Sequence, residues 1–270
     1  VDAAVAARPG RPAGLLRHVP QAAVVGLAHV REARTEGLLV RPEERVAEQV
    51  EVVARQWSWE FRYPHQGVST TELHLAVDQP VTFRLVSEDV LHGFYVPAFR
   101  LKQDVVPGRA INFNLTPTRE GRYRLRDSQF SGTWFATTQA DVVVESAVAH
   151  SAWLKQAKAD LLRGLAKDPV RPNEWLSLAS VTQALDGASR EVVPYLLMSI
   201  RTGRTLSHLW PARMRLILSN WGYFSDEEKK FLNDYVVMTW RLSSERWWWG
   251  RLVYDVFDEV IIRWLLRDEP

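Results

Sequence analysis

The sequence predicts an all-β barrel or sandwich followed by an all-α region, an α+β chain of several parts. Two observations carry this reading. Between residues 46 and 147, short valine-rich and aromatic runs alternate apolar with polar residues and are separated by turn residues, the period of half-buried strands. In residues 150–270 apolar residues recur every three or four positions in longer runs, the period of a helix. Residues 1–45 fit neither pattern and predict an extended basic arm. Pro9, Gly10, Pro12 and Gly14 break any early helix, and Arg8, Arg11, Arg17 and Arg31 make the stretch locally positive. That charge suits an anionic membrane surface or an acidic partner.

The strand signals run in order. Val46–Ala54 is rich in valine. Leu73, Leu75 and Val77 share one face, opposite Glu72, His74 and Ala76. Val81, Phe83 and Leu85 alternate again, as do Ile111, Phe113 and Leu115, and Asp141–Glu145 is a last valine strand. Pro64 to Gly67, Asp78 to Pro80, Pro107-Gly108 and Glu120-Gly121 supply the turns. His65 at a turn and His74 on a strand are expected to be surface residues.

Helical spacing covers Ser151–Lys167, Asn173–Leu185, Arg190–Arg201 and Ser207–Asn220, punctuated by Pro169, Pro172, Gly187, Gly203 and Gly222. Ser225 followed by Glu228 is a capping box and starts a helix to about Leu242. A last helix is expected from about Glu245 to Arg267, with Leu252, Val253, Val256, Phe257, Val260, Ile261, Trp264 and Leu265 on one core-facing side. Asp255, Asp258 and Glu259 then form a solvated face.

Composition narrows the chemistry. A net charge of +2 gives no field directed at nucleic acid. Cysteine is absent, which excludes disulfides, thiolate metal centres, iron–sulfur clusters and a cysteine nucleophile. No run of about 20 apolar residues predicts a membrane-spanning helix. No phosphate-binding loop, nucleophile elbow, zinc-protease motif or dinucleotide fingerprint occurs, so no catalytic residue, cofactor site or small-molecule substrate is assigned. Tryptophan is abundant, with nine of 12 residues after position 150.

Three strings carry a family resemblance. Gln56–Pro64 (QWSWEFRYP) resembles the aromatic strand of cytochrome c oxidase subunit II. Asp89–Arg109 (DVLHGFYVPAFRLKQDVVPGR) resembles the same family through His92, Phe94, Pro97, Lys102, Asp104, Pro107, Gly108 and Arg109. Gly121–Glu145 lies where that family carries its copper loop. The resemblance covers about 100 residues in the expected order and does not extend to residues 150–270. It implies a cupredoxin-like barrel or sandwich, which in the family holds a dinuclear copper centre. The loop pattern there is C-x-x-x-C-x-x-x-H-x-x-M, with a further upstream histidine.

Gly121, Tyr123 and Gly132 fix the register without a gap. Asp127 then falls at the first cysteine position, Ser131 at the second, Phe135 at the histidine and Thr138 at the methionine. Gln129 stands where the family has a glutamate, and His92 alone is retained. A carboxylate, a hydroxyl and one imidazole cannot replace two bridging thiolates, so the sequence predicts no bound copper. His92 becomes a packed or hydrogen-bonded residue, whose removal is expected to cost roughly 1–3 kcal/mol. Phe135 is expected to fill the ligand cavity. Trp57 and Trp59 are expected to share one face as core or docking surface.

The resemblance without the copper implies a non-catalytic structural subunit of a membrane-bound electron-transfer complex on the periplasmic side of the cytoplasmic membrane. Its partners would be protein subunits of that complex, with contact to the membrane surface. The favoured host is a photosynthetic reaction centre with its light-harvesting ring. The alternative is subunit II of a quinol-type terminal oxidase, which also lacks the copper centre. The run Trp247-Trp248-Trp249, flanked by Arg246 and Arg251, is expected to dock on the complex or the membrane, because three consecutive helical residues cannot all face one small core.

Overall fold

The structure is a computed structural model that describes residues 48–244, 248–253 and 256–269. The expected arm at residues 1–45 lies outside the described residues, as do Arg246 and Trp247. Residues from Ala47 onward form one compact unit.

Ten strands are described, in two five-stranded sheets. In chain order they are β1 (Glu48–Arg55), β2 (Ser58–Tyr63), β3 (Val68–Thr70), β4 (Leu73–Ala76), β5 (Val81–Ser87), β6 (His92–Val96), β7 (Leu101–Val105), β8 (Ile111–Leu115), β9 (Gly121–Asp127) and β10 (Gln139–Glu145). One sheet runs β3-β2-β1-β5-β8 and the other β4-β10-β9-β6-β7. Most pairs are antiparallel, but β1 pairs with β5 and β4 with β10 in parallel. The alternation read from the sequence points Val81, Phe83 and Leu85 into the space between the sheets, where all three are fully buried. Val50, Val52, Phe61, Leu73, Leu75, Phe94, Leu125 and Val142 meet them there. Full burial of each large side chain contributes about 1.5–3 kcal/mol.

Six helices follow: α1 (Ala147–Lys167), α2 (Pro172–Asp186), α3 (Val192–Thr202), α4 (Trp210–Ser219), α5 (Asp226–Leu242) and α6 (Val256–Leu265). Ser146 caps α1 by accepting a hydrogen bond from the Ala149 N–H. The capping box at Ser225 and Glu228 is formed in both directions. The helical core is built from α3, α4 and α5 with Val193, Leu196, Ile200, Met214, Ile217, Leu232 and Val236. Arg213 is fully buried within it. It donates to the Ser199 carbonyl at 2.5 Å, the Gly203 carbonyl at 2.8 Å and the Ser199 hydroxyl at 3.0 Å. The guanidinium thereby satisfies carbonyls left open where α3 ends, and its charge suits the negative end of that helix.

The last helix departs from the sequence reading. Trp249–Arg251 is a single 3₁₀ turn, and α6 is described as Val256–Leu265. Gly250, with its low helix propensity, sits in the middle of the expected helix start. The expected single apolar face is also split: Leu252, Ile261 and Leu265 are buried, whereas Val253, Val256, Val260 and Trp264 are exposed.

The sandwich and the helices meet directly. Gly67, at φ +65°, lies so close to α2 that a Cβ there would stand 2.8 Å from the Ser177 Cα. Two penalties combine in Gly67→Ala, the left-handed backbone and the clash. A loss of about 2–3 kcal/mol in the urea unfolding free energy is therefore expected. Gly164 lies within α1, and the space a Cβ would take there is open, so Gly164→Ala is expected to raise stability by up to about 1 kcal/mol.

Candidate functional site

The register of β6 against its neighbours assembles the candidate site. His92 opens β6 and pairs with Val105 of β7, while Phe94 pairs with Asp127 at the end of β9. Asp127 therefore comes to rest beside Gly93 and His92. Gly93 permits the approach of the loop after β9, because a Cβ there would meet the Ser128 hydroxyl at 2.1 Å. The Ser128 N–H instead donates to the Gly93 carbonyl at 3.0 Å.

His92 is fully buried, and each of its ring nitrogens faces a carboxylate. Nδ1 lies 2.7 Å from Asp127 Oδ2, and Nε2 lies 2.8 Å from Asp89 Oδ1. Asp127 is itself saturated: Oδ1 accepts from the Gly93 N–H at 2.7 Å and the Gln129 N–H at 3.0 Å, and Oδ2 accepts from the Ser131 hydroxyl at 2.7 Å. Asp89 accepts from the Gln56 and Val90 N–H groups, each at 2.6 Å. Ionised carboxylates only accept, so a ring that donates to both must carry both protons. The geometry fits a doubly protonated His92 ring between two carboxylates.

The electrostatics agree with that assignment. Burial disfavours the charged ring, but the hydrogen bonds to Asp127 and Asp89 outweigh it and hold His92 above the usual imidazole range. Burial pushes the Asp127 carboxyl up, yet the bonds from His92, the Gln129 N–H, Ser131 and the Gly93 N–H leave it below the ordinary carboxylate value. Asp89 is likewise lowered, with burial opposed by the Gln56 N–H and His92.

The remaining aligned positions divide. Thr138 is buried next to the network; its carbonyl accepts from the Asp127 N–H at 3.0 Å and the Trp59 indole at 3.3 Å. Gln129 turns outward and donates to Asp104 at 2.7 Å. Phe135 does not plug the ligand cavity. It is half-buried and packs edge to face on Phe130, with ring centres 5.3 Å apart. The two tryptophans also part company: Trp59 is 2% exposed on β2, whereas Trp57, in the turn before it, is 41% exposed. Phe130 at 77% and Trp134 at 59% exposure were not singled out from the sequence. Their signal was the aromatic content of a loop whose ligand positions no longer require it.

Among the candidate docking residues, Trp249 is a core residue, stacked on Trp248 at 4.6 Å and edge to face with Trp240 at 5.3 Å. Trp248 is half-buried and donates to the Ser243 hydroxyl at 3.1 Å. His74 is not a free surface residue either, since its ring stacks on Trp153 of α1 at 4.5 Å.

Two sheets of five strands, with the parallel β1–β5 and β4–β10 pairs, define a cupredoxin-like domain. Residues 68–147 match the family model described as the periplasmic domain of cytochrome c oxidase subunit II. The alternative cytochrome c oxidase subunit 2 of Bradyrhizobium diazoefficiens is 32% identical, over 42% of this chain and 52% of that protein. The cytochrome c oxidase subunit 2 of Thermostichus vulcanus is 33% identical, over 46% of this chain and 36% of that protein. The cytochrome bo(3) ubiquinol oxidase subunit 2 of Buchnera aphidicola is 32% identical, over 36% of this chain and 34% of that protein. The chain spans between about a third and about half of the length of these relatives. Its β region is similar to the periplasmic domain of cytochrome c oxidase subunit II, which fits a location on the periplasmic side of the membrane. Among the described residues no helix is long and apolar enough to cross a membrane.

A dinuclear copper centre does not fit the residues present. The chain has no cysteine to bridge two metals. Both nitrogens of His92 are engaged, and so are both oxygens of Asp127. His92, Asp127 and Ser131, three of the positions aligned with copper ligands, are closed on one another.

Removing His92 strands two carboxylates rather than one polar group. His92→Ala is therefore expected to cost about 3 kcal/mol, at the top of the range the sequence alone suggested. The sign with pH follows from the shifts. A raised imidazole stabilises below its ordinary value near 6.5 and loses that contribution as pH rises through the raised one. The lowered carboxylates stabilise above about 4 and lose their contribution on further acidification. The stability difference between wild type and His92→Ala, followed by urea unfolding, should be largest between those limits and shrink on either side.

Proposed function

We propose that this chain is a non-catalytic structural subunit of a membrane-bound electron-transfer complex, docked on its periplasmic face. The observation that carries this reading is the self-closed network at the former ligand positions. His92, Asp127 and Ser131 satisfy one another, so the domain keeps its framework with no group to accept an electron. The framework itself persists in β6, β7 and the buried Trp59. The exposed Trp57, Phe130 and Trp134 give the loop end a large apolar contact surface, of a kind that marks protein interaction sites.

We propose a photosynthetic reaction centre with its light-harvesting ring as the host. Such assemblies exchange electrons at the periplasmic face, and the helical region after residue 147 lies beyond the part matched to the oxidase family. A second reading is subunit II of a quinol-type terminal oxidase without a copper centre. The similarity to a ubiquinol oxidase subunit 2 favours it, and on the comparisons alone it is the better supported host. Both readings make protein subunits of a membrane complex the partners.

Docking is assigned to the C-terminal segment. Trp249 is in the core, and Arg246 and Trp247 lie outside the described residues. The exposed flank of α6, Val256, Val260 and Trp264, therefore supplies the surface, together with the half-buried Trp248. Arg251, which closes the 3₁₀ turn after Trp249, keeps its place in the proposal by position alone.

The test is purification of the tagged chain from its own membranes in mild detergent, followed by identification of stoichiometric partners. Reaction-centre polypeptides with bound bacteriochlorophyll are expected. A haem–copper oxidase subunit I in their place would install the second reading, and the chain recovered alone would overturn both. Val256→Ser and Val260→Ser should reduce retention in the complex while changing the stability of the isolated chain by no more than about 0.5 kcal/mol, since both side chains are exposed.

A further inference from the structure

A second histidine bridges two carboxylates, at the seam between the sandwich and the helices. His150 lies in the first turn of α1 and is buried. Its Nδ1 is 3.2 Å from Glu145 Oε1 at the end of β10, and its Nε2 is 3.3 Å from Glu48 Oε1 at the start of β1. Both contacts are hydrogen bonds only when both ring nitrogens carry protons. A neutral ring must turn a lone pair toward one of the two carboxylates.

The surroundings concentrate this requirement on His150. On β4, His74 also reaches Glu145, with Nδ1 3.3 Å from Oε1, and Glu72 stands 3.7 Å from its other nitrogen. From the turn before β3, the Gln66 amide donates to Glu48 at 2.9 Å. His65 in the same turn is held below the usual imidazole range by burial and by Arg215 of α4, with Glu48 opposing, so it stays neutral near neutral pH. Tyr63 is fully buried and exchanges hydrogen bonds with the backbone of His74, its phenol raised by burial and hence neutral. His150 is thus the ring that faces both glutamates across the seam. Burial opposes its charge, but Glu48 and then Glu145 outweigh burial and raise it above the usual imidazole range.

We propose that His150 is a proton-operated clasp that ties the first turns of α1 to β1 and β10 when protonated and releases them when it loses a proton. The clasp acts on more than a helix end. Trp153, one turn further along α1, packs on both rings, stacked on His74 at 4.5 Å and tilted against His150 at 5.1 Å. The same indole forms a wall of a cleft of about 890 Å³ bounded by β3, α1 and the start of α2. Protonation therefore fixes one wall of that cleft. The sign is that of a raised histidine: the clasp holds in acid and at neutrality and is lost as pH rises through the raised value. The clasp itself does not depend on which complex is the host.

Two measurements on the whole chain test it. Long-range nitrogen–proton NMR reads the protonation of the His150 ring directly, with His150→Gln supplying the assignment. Both ring nitrogens should be protonated at about pH 7, with deprotonation above the ordinary histidine value near 6.5. Hydrogen exchange, corrected for intrinsic rates, should show the amides of the first turns of α1 losing about tenfold or more protection between about pH 7 and about pH 9. His150→Gln should show the low protection at both values, with β5 and β6 still protected. A neutral His150 ring at pH 7, unchanged protection of α1 across that range, or the same pH dependence in His150→Gln overturns the proposal. If the variant does not fold, the ring protonation and the exchange of the wild-type chain decide.

Discussion

The bridge from His92 to Asp127 and Asp89 is the constraint on which the loop end of the sandwich depends. A buried imidazolium is unfavourable by itself, and so is each carboxylate. Together they form a compact set in which every donor meets an acceptor, and backbone N–H groups of Gln56, Val90, Gly93 and Gln129 complete it. The network ties the turn before β2, the turn before β6 and the loop after β9 into one structure. In a copper domain of this family the metal would hold those segments. Here the contacts of His92 with Asp127 and Asp89 do so.

The network accounts for how the framework is held with no copper ligands in the loop. Asp127 occupies a position where a thiolate would be anionic, and it remains anionic with hydrogen bonds in place of metal. Ser131 keeps a short polar side chain pointing at position 127. Thr138 supplies its carbonyl to Asp127 and Trp59, a role that needs the backbone and not the side chain. Phe135 is the exception, since an apolar ring has no function in a polar network, and it leaves the site to pack on Phe130.

Some of this was legible in the sequence and some was not, for physical reasons. The period-two runs of β5, β8 and β10 could be read because one face of each strand is more buried than the other, fully so at several positions of β5 and β10 and partly in β8. The Ser225 capping box could be read because its partners are three residues apart. The loop register could be read because Gly121, Tyr123 and Gly132 anchor it. The partners of His92 were only half legible: Asp127 stands at an aligned position, whereas Asp89 is a plain turn residue until the fold brings it round. His74 reads as a surface residue because Glu145 and Trp153 reach it from distant segments, and the His150 bridge is illegible because its second carboxylate is remote; Glu48 and His150 are 102 positions apart. Trp249 misleads because Trp249–Arg251 forms a single tight 3₁₀ turn and the Trp249 ring turns into the core.

The state of His92 decides between a closed network and a metal site. The most direct measurement is the nitrogen resonance pattern of the His92 ring, followed at neutral pH while copper is added to the purified chain. A ring protonated on both nitrogens, whose signals are unmoved by one equivalent of cuprous or cupric ion, is the predicted result. A neutral ring, or signals lost stoichiometrically as copper enters, would contradict the closed network and restore the site to a metal-binding role.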